Sequence, residues 1–467
     1  MVIALSGHEA NDKNLYDDTV NLQSALDKIS LLGGGQVLLK EGVFYSGPLK
    51  LRSNVHVHIE KDATLSFIFD LERYPPVWTR WEGVECWAMH PLLFAQNSHH
   101  IILSGSGTID GNGQPWWNML RQAKAEKRSV PIHPVELQFA ALNPGYREQP
   151  SGGGGREIQF LRPPLVQFLH CSDIEIRELT LQNSPFWNTH LVYSRNIHVV
   201  NAQFINPHEG PNTDGLNIDS CIDVTIEGCS FDVGDDCLGL KSGAGEDGLR
   251  VGRPTEHIKI QGCSMRGGHG GVVIGSETAG GVRDVRIKNC NMKGTDRGLR
   301  IKTRRGRGGV IEDISLSNCR MEGVICPVVL NCYYGPGGPT SDSPVFSLTP
   351  QPIESTTPRM RRIEISHLEA VDCKAAAAFI VGLPEQPIEG VRISDSSFSL
   401  SSDRSVPSSE AAMYRGLPEP RGRGIRIRNV NGLTLSRITV NFPEKSNELK
   451  DALLLEDGVS RYQFFTK

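Results

Sequence analysis

The chain has 467 residues, a formal charge of −4 and scattered basic residues, which excludes a whole-protein field suited to nucleic acid. Hydrophobic residues make up 38%, and no apolar run approaches the roughly 18 residues of a membrane-spanning helix, so neither nucleic acid nor membrane is an expected partner. Eleven cysteines, an odd count without a Cys-x-x-Cys, argue against a disulfide framework or a zinc site and for reduced thiols.

The opening Met1-Val-Ile-Ala-Leu-Ser-Gly lacks a basic stretch and makes a poor secretory signal, which reads as a cytoplasmic protein. Asp17-Asp18-Thr19 then starts a capped amphipathic helix to Leu32, with Leu22, Ala25, Leu26, Ile29 and Leu32 on one face and Gly33-Gly34-Gly35 as its stop. Residues 1–35 form a cap over an open strand edge. Residues 36–66 and 99–110 read as the first strand coils. Between and after them lie irregular insertions: 67–98, rich in aromatics, and 111–163, with Trp116, Trp117 and the run Gly152 to Gly155. Without a following Lys-Ser or Lys-Thr, that glycine run is a flexible loop and not a phosphate cradle.

From Ile174 onward one phrase recurs, apolar and polar residues alternating, with a small or apolar residue five positions after the start. It begins at Ile174, Ile197, Val224, Ile258, Val285, Ile314, Ile363, Val391 and Leu433, mostly 23 to 34 residues apart, with gaps of 49 and 42 that mark insertions at 333–359 and 400–424. The period of two denotes short half-buried strands, and no helical pattern separates them. Strands one coil apart, joined by Gly and Asn turns, predict an all-β solenoid, a parallel β-helix in which each coil pairs only with its neighbours. It is read as a single domain, 1–467, with coils over 36–442 and a C-terminal cap at 443–467. Cys229, Cys263, Cys290 and Cys319 occupy the fifth-position column, where other coils carry Leu179, Ala202, Leu368 and Ile438, and so act as small buried hydrophobes.

Four segments share this frame and carry chemistry. Gly215-Leu-Asn-Ile-Asp-Ser220, Cys237-Leu-Gly-Leu-Lys-Ser242, Gly271-Val-Val-Ile-Gly-Ser276 and Gly298-Leu-Arg-Ile-Lys-Thr303 superpose without gaps. Asp214 then falls beside Asp236, Asp235 beside His269, and Arg300 and Lys302 share one strand face. Rungs about 4.8 Å apart crowd three carboxylates, so at least one is expected to hold its proton. An acid beside ionised carboxylates is what cleavage of a glycosidic bond requires. Solvated turn residues or a calcium site are the alternatives for these acids.

Asn212-Thr213-Asp214, Gly234-Asp235-Asp236, Gly268-His269-Gly270 and Arg300-Ile301-Lys302, in this order, resemble the four signature motifs of the polygalacturonases, glycoside hydrolase family 28. Asp17-Asp18-Thr19, Trp116-Trp117, Asn183-Ser184-Pro185 and the coil phrasing over 165–332 are also similar to that family. The resemblance implies a right-handed, pectin-lyase-like β-helix with long groove-side loops and inverting hydrolysis of α-1,4-linked galacturonic acid in pectin, without cofactor or metal. By motif, Asp235 is the general acid, and Asp214 and Asp236 activate the water, with a carboxyl separation of roughly 6.5–9.5 Å between acid and base. His269 tunes the acid, and Arg300 and Lys302 hold the substrate carboxylate.

Secondary candidates are Lys241, in the Lys302 column, as an added cation or a structural residue, and Asn212, shaping the Asp214 turn or touching sugar. Tyr333 or Tyr334 stands where the family places a sugar-contacting tyrosine, and Arg304, Arg305 and Arg307 form a basic run that reads either as a solvated loop or, since it follows the site strand, as a surface to greet a polyanion. The absent signal, the absent disulfides and the long insertions are similar to bacterial exo-acting members, so the expected substrate is a pectic polysaccharide or oligogalacturonide cut from an end. Rhamnogalacturonan or xylogalacturonan hydrolysis, lyase-type β-elimination and a non-catalytic glycan-binding solenoid are the rival readings.

Overall fold

The recurring phrase folds as one rung of a stack. In the computed structural model, which describes residues 1–9, 16–443 and 452–465, the chain divides into two compact units, Met1–Asp235 and Asp236–Lys467. Each is a stretch of right-handed parallel β-helix.

In the first unit Ile101, Ile174, Ile197 and Val224 lie in register on successive rungs. In the second, Ile258, Val285, Ile314, Ile363, Val391 and Leu433 form one unbroken column. All are buried. Each such side chain contributes about 1.5–3 kcal/mol, and a one-residue slip would turn every one of them outward, which fixes the register.

Two bends per rung close the coil, and both need a left-handed residue. The first immediately precedes each phrase: Asp173, Asn196 and Asp223 in the first unit, and His257, Asp284, Asp313, Arg362, Gly390 and Gly432 in the second, all with φ between 50° and 83°. The second, five residues after the first, is Glu178, Asn201 or Gly228, then Gly262, Asn289, Asn318, His367, Asp395 and Arg437. Asn, Asp and Gly tolerate this conformation best, which explains why they punctuate the phrase. Directly after the second bend come the cysteines. Cys263, Cys290 and Cys319 turn their thiols to the carbonyls two residues back, at 3.3–3.4 Å. All eleven cysteines are buried.

A smaller sheet forms a second wall in each unit. In the first it comprises Leu49–Leu51, Leu93–Gln96, Val166–Leu169, Thr189–Val192 and Leu216–Asp219. In the second it comprises Asp236–Lys241, Gly270–Gly275, Arg297–Lys302, Cys326–Asn331, Ala378–Val381, Ile425–Arg428 and Leu453–Leu455.

Several expectations need correction. The helix spans Thr19–Leu31 and buries Leu22, Ala25, Leu26 and Ile29, but Leu32 lies beyond its end and is 55% exposed. Asp17 accepts from the Thr19 amide, whereas Asp18 turns away to the Tyr45 amide. Within 67–98, Pro76–Trp81 and Val84–Met89 form an antiparallel hairpin, and Leu93–Gln96 is a regular rung, so the insertion ends before residue 93. Within 111–163, Gln114–Ala125 and Pro134–Leu142 are helices, each with proline in its first turn. Gly152 and Gly154 donate their amides to Glu82 at 2.8 Å, so that glycine run wraps a carboxylate of the hairpin turn. The insertions at 333–359 and 400–424 carry one short 3-10 turn each, Pro344–Phe346 and Ser408–Ala411. Of the expected cap at 443–467, residues 444–451, 466 and 467 lie outside the described residues. Leu453–Leu455 and Ser460–Phe465 there continue the two sheets as a further rung.

Candidate active site

Backbone packing sets the acidic turn of the first unit. Asn212 takes the left-handed conformation, φ 56°, and its side chain accepts from Arg162 at 3.0 Å. The same guanidinium donates to the carbonyls of Pro185 and Pro211, and Asn206 donates to that of Thr213. Asn212 therefore shapes the turn. Gly234 packs so closely that a Cβ would stand 2.6 Å from the Pro207 carbonyl and the Thr213 hydroxyl, which accounts for the glycine before the two acids. Asp214 is buried and accepts from Asn217 at 3.0 Å, while Asp235 is half-buried. The two carboxylates bring oxygens within 4.8 Å of each other, a spacing that could also hold a cation.

In the second unit Asp236 opens its rung in register with Gly270, and Val273 and Gly275 pair with Arg300 and Lys302. Alternation turns Leu299 and Ile301 into the core and Arg300 and Lys302 to the other face. Lys302 Nζ donates to Asp236 Oδ2 at 2.8 Å, and Arg300 Nη1 approaches Oδ1 at 3.5 Å and donates to the His269 carbonyl at 3.2 Å. His269 is exposed. Arg300 Nη2 meets the thioether of Met413 at 2.9 Å, a weak acceptor for a charged donor. Tyr334 lies against both cations, its ring centroid 5.7 Å from the Arg300 guanidinium carbon and 5.4 Å from Lys302 Nζ.

Tyr333 is buried, donates to the Ser347 carbonyl and stacks under Arg305, so it is a packing residue. Lys241 forms a buried ion pair with Glu277 at 3.0 Å, the structural alternative. Arg304, Arg305 and Arg307 are buried rather than solvated. Arg304 binds the carbonyls of Tyr334, Pro336 and Gly337, Arg305 makes a two-pronged pair with Glu385, and Arg307 lies 3.9 Å from Glu277. The run faces backbone carbonyls of the 333–359 insertion and the carboxylates of Glu277 and Glu385, which its own sequence does not disclose.

Sequence reasoning missed a network on the smaller sheet of the first unit. Arg80, from the hairpin, donates to Asp219 at 2.7 Å and to Ser220 at 2.8 Å and covers the Tyr193 ring. Thr79 donates to Gln167, Gln167 meets His190, and His190 reaches Asp219 at 3.3 Å. Burial alone would raise the Asp219 carboxyl, yet Arg80 and His190 hold it below its ordinary range. The alternation that turned Arg300 and Lys302 outward applies equally to Asn217 and Asp219. It was the available signal.

Residues 155–379 match the model of glycosyl hydrolases family 28. A probable polygalacturonase of Vitis vinifera is 32% identical over 312 residues, 65% of this chain and 56% of that protein, so the chain spans little more than half of that relative's length. The crystal structure of a hyperthermoactive exopolygalacturonase from Thermotoga maritima superposes with a TM-score of 0.73 at 27% identity, over 95% of this chain and 93% of that one. A family 28 exopolygalacturonase from Yersinia enterocolitica gives a TM-score of 0.71 at 18% identity, over 99% of this chain and 77% of that one, a likeness of fold alone.

Proposed function

We propose, since this chain belongs to glycosyl hydrolases family 28, that it hydrolyses α-1,4-linked galacturonic acid in polygalacturonate or oligogalacturonides, releasing product from a chain end. The observation that carries the reading is Asp236 bound by Lys302 and flanked by Arg300 under one tyrosine ring. The two cations on this face supply the donors that suit the carboxylate of a uronic acid.

In the proposed reaction Asp235, half-buried and open to solvent, gives its proton to the leaving glycosidic oxygen. Asp236, its neighbour along the chain, and Asp214, held by Asn217, take the proton of the attacking water. Attack opposite the leaving group inverts the anomeric centre. An Asp236 already engaged by cations is a poor nucleophile, which favours this water route over a glycosyl-enzyme intermediate.

Chain-end cleavage draws support from the described activity of the Thermotoga relative. The insertions favour it too: the hairpin Pro76–Trp81/Val84–Met89 is fixed to the smaller sheet of the first unit through Arg80. Polygalacturonate digestion followed by viscosity against reducing ends tests this. Slow viscosity loss with early monomer or dimer is expected, and a viscosity collapse after few cuts refutes end-wise action. Ultraviolet-absorbing unsaturated products would replace hydrolysis by elimination.

A further inference from the structure

The column that contains Lys302 has a gap. Lys241, Gly275 and Lys302 occupy one position on three successive rungs, so two lysines flank a residue without a side chain. Glycine is required there: Gly275 has φ 102°, and a Cβ would stand 2.2 Å from the Lys302 carbonyl. Two residues on, Glu277, itself buried, accepts from Lys241 Nζ at 3.0 Å and from the Ser276 hydroxyl at 3.2 Å, and lies 3.9 Å from Arg307. Lys241 also donates to the Gly275 carbonyl at 3.3 Å. Burial alone would raise the Glu277 carboxyl, but Lys241, Arg307 and Lys302 together bring it well below its ordinary range. Lys302 lies on the rung next to Gly275, which stands two residues before Glu277, and its ammonium donates to Asp236 at 2.8 Å.

We propose that Glu277 is a positioning residue for the reaction: its carboxylate holds Lys241 and shares the field of Lys302, thereby limiting how strongly Lys302 grips Asp236. The inference rests on the hydrolase reading above and adds to it a residue that touches neither substrate nor water. Without the Glu277 charge, an ammonium no longer shared draws Asp236 closer and makes it a poorer proton acceptor. The same excess of positive charge attracts an anionic sugar more strongly. The two effects move turnover and substrate affinity in opposite senses, which loss of packing does not do.

The test is steady-state hydrolysis of trigalacturonate by the full chain. Glu277→Gln is expected to lower kcat about tenfold and to lower KM about threefold, as one extra charge near both groups implies. Glu277→Asp, which keeps the charge, should recover most of the turnover. Lys241→Gln changes the balance in the other direction, frees Glu277 to draw Lys302 from Asp236, and should raise KM about threefold; it also provides the reading if Glu277→Gln does not fold. Unchanged constants in Glu277→Gln, a rise in KM there, or KM shifts of the same sign in Glu277→Gln and Lys241→Gln overturn the inference. No turnover by the unaltered chain overturns the hydrolase reading and the inference together, whereas normal turnover with insensitive variants overturns the inference alone.

Discussion

Replacing Arg80 by alanine removes one member of an ion pair whose side chains are both 0% exposed. Asp219 is left in the interior with His190 at 3.3 Å, and Tyr193 loses the guanidinium over its ring. Breaking a buried pair from one side costs about 3–5 kcal/mol. For a unit of this size each kcal/mol moves the midpoint by roughly 2–4 °C, so the first unit should melt about 10 °C lower by scanning calorimetry. The pH dependence has a definite sign. Asp219 is depressed in the folded state by Arg80 and His190 against the opposing effect of burial, so its contribution is present above the ordinary carboxylate value and is lost as pH falls through the depressed one. The difference between the Arg80→Ala variant and the unaltered chain should therefore narrow below about pH 4. Arg80→Met with Asp219→Leu, which removes both charges, should restore most of the midpoint. If Arg80→Ala melts within a degree of the unaltered chain at neutral pH, the pair does not secure the hairpin. If it melts lower yet still releases only end products, the hairpin does not set the cleavage mode.

Four further outcomes are expected. Asp235→Asn should reduce kcat at least 100-fold, the lower end of what a general acid supplies, with calorimetric binding of trigalacturonate retained; normal turnover would take the acid role from Asp235. Proton NMR of the first product should show the β anomer, because attack by water inverts an α-linkage; an initial α anomer would make one of the carboxylates a nucleophile. Tyr334→Ala should raise KM several-fold through loss of its contacts with Arg300 and Lys302. Tyr333→Phe should leave KM unchanged and cost about 1 kcal/mol of stability through the lost bond to the Ser347 carbonyl.

The coils were legible because each rung repeats one physical demand. A buried Ile or Val must alternate with outward residues, and a left-handed bend must precede it, so Asp223, His257, Asp284 and Asp313 announce the strands that follow them. Catalytic candidates were legible by the same register, since Asp236, Gly270, Arg300 and Lys302 need only correct alignment to find their partners within the second unit. The insertions were not. Their contacts join residues 139 apart for Arg80 and Asp219 and 80 apart for Arg305 and Glu385, and no local period records such pairings. Hence Arg304, Arg305 and Arg307 read as a solvated loop although carbonyls and carboxylates bury them. Glu277 was hidden for another reason: it lies two residues past the strand end at Gly275, where the alternation no longer assigns a face.

Burial of Arg300 and Lys302 has a consequence for specificity within the second unit. On a bare sheet, outward cations would face water and bind a carboxylate weakly. Here Met413 lies on Arg300, Tyr334 on both cations, and Tyr334 and Tyr414 form an antiparallel bridge that ties the insertion after Asn331 to the one after Leu400. Arg415 and Gly335 fasten the same two segments by backbone bonds to Tyr333 and Met413. Removing water strengthens each charged contact, but the segments that remove it also occupy the sheet face on which further sugars of a long chain would lie. On the proposed end-wise reading, tight recognition of one uronate and restriction of the chain beyond it would both come from the same two insertions. Shortening the 400–424 segment should weaken binding of a single galacturonate while easing access for polymer.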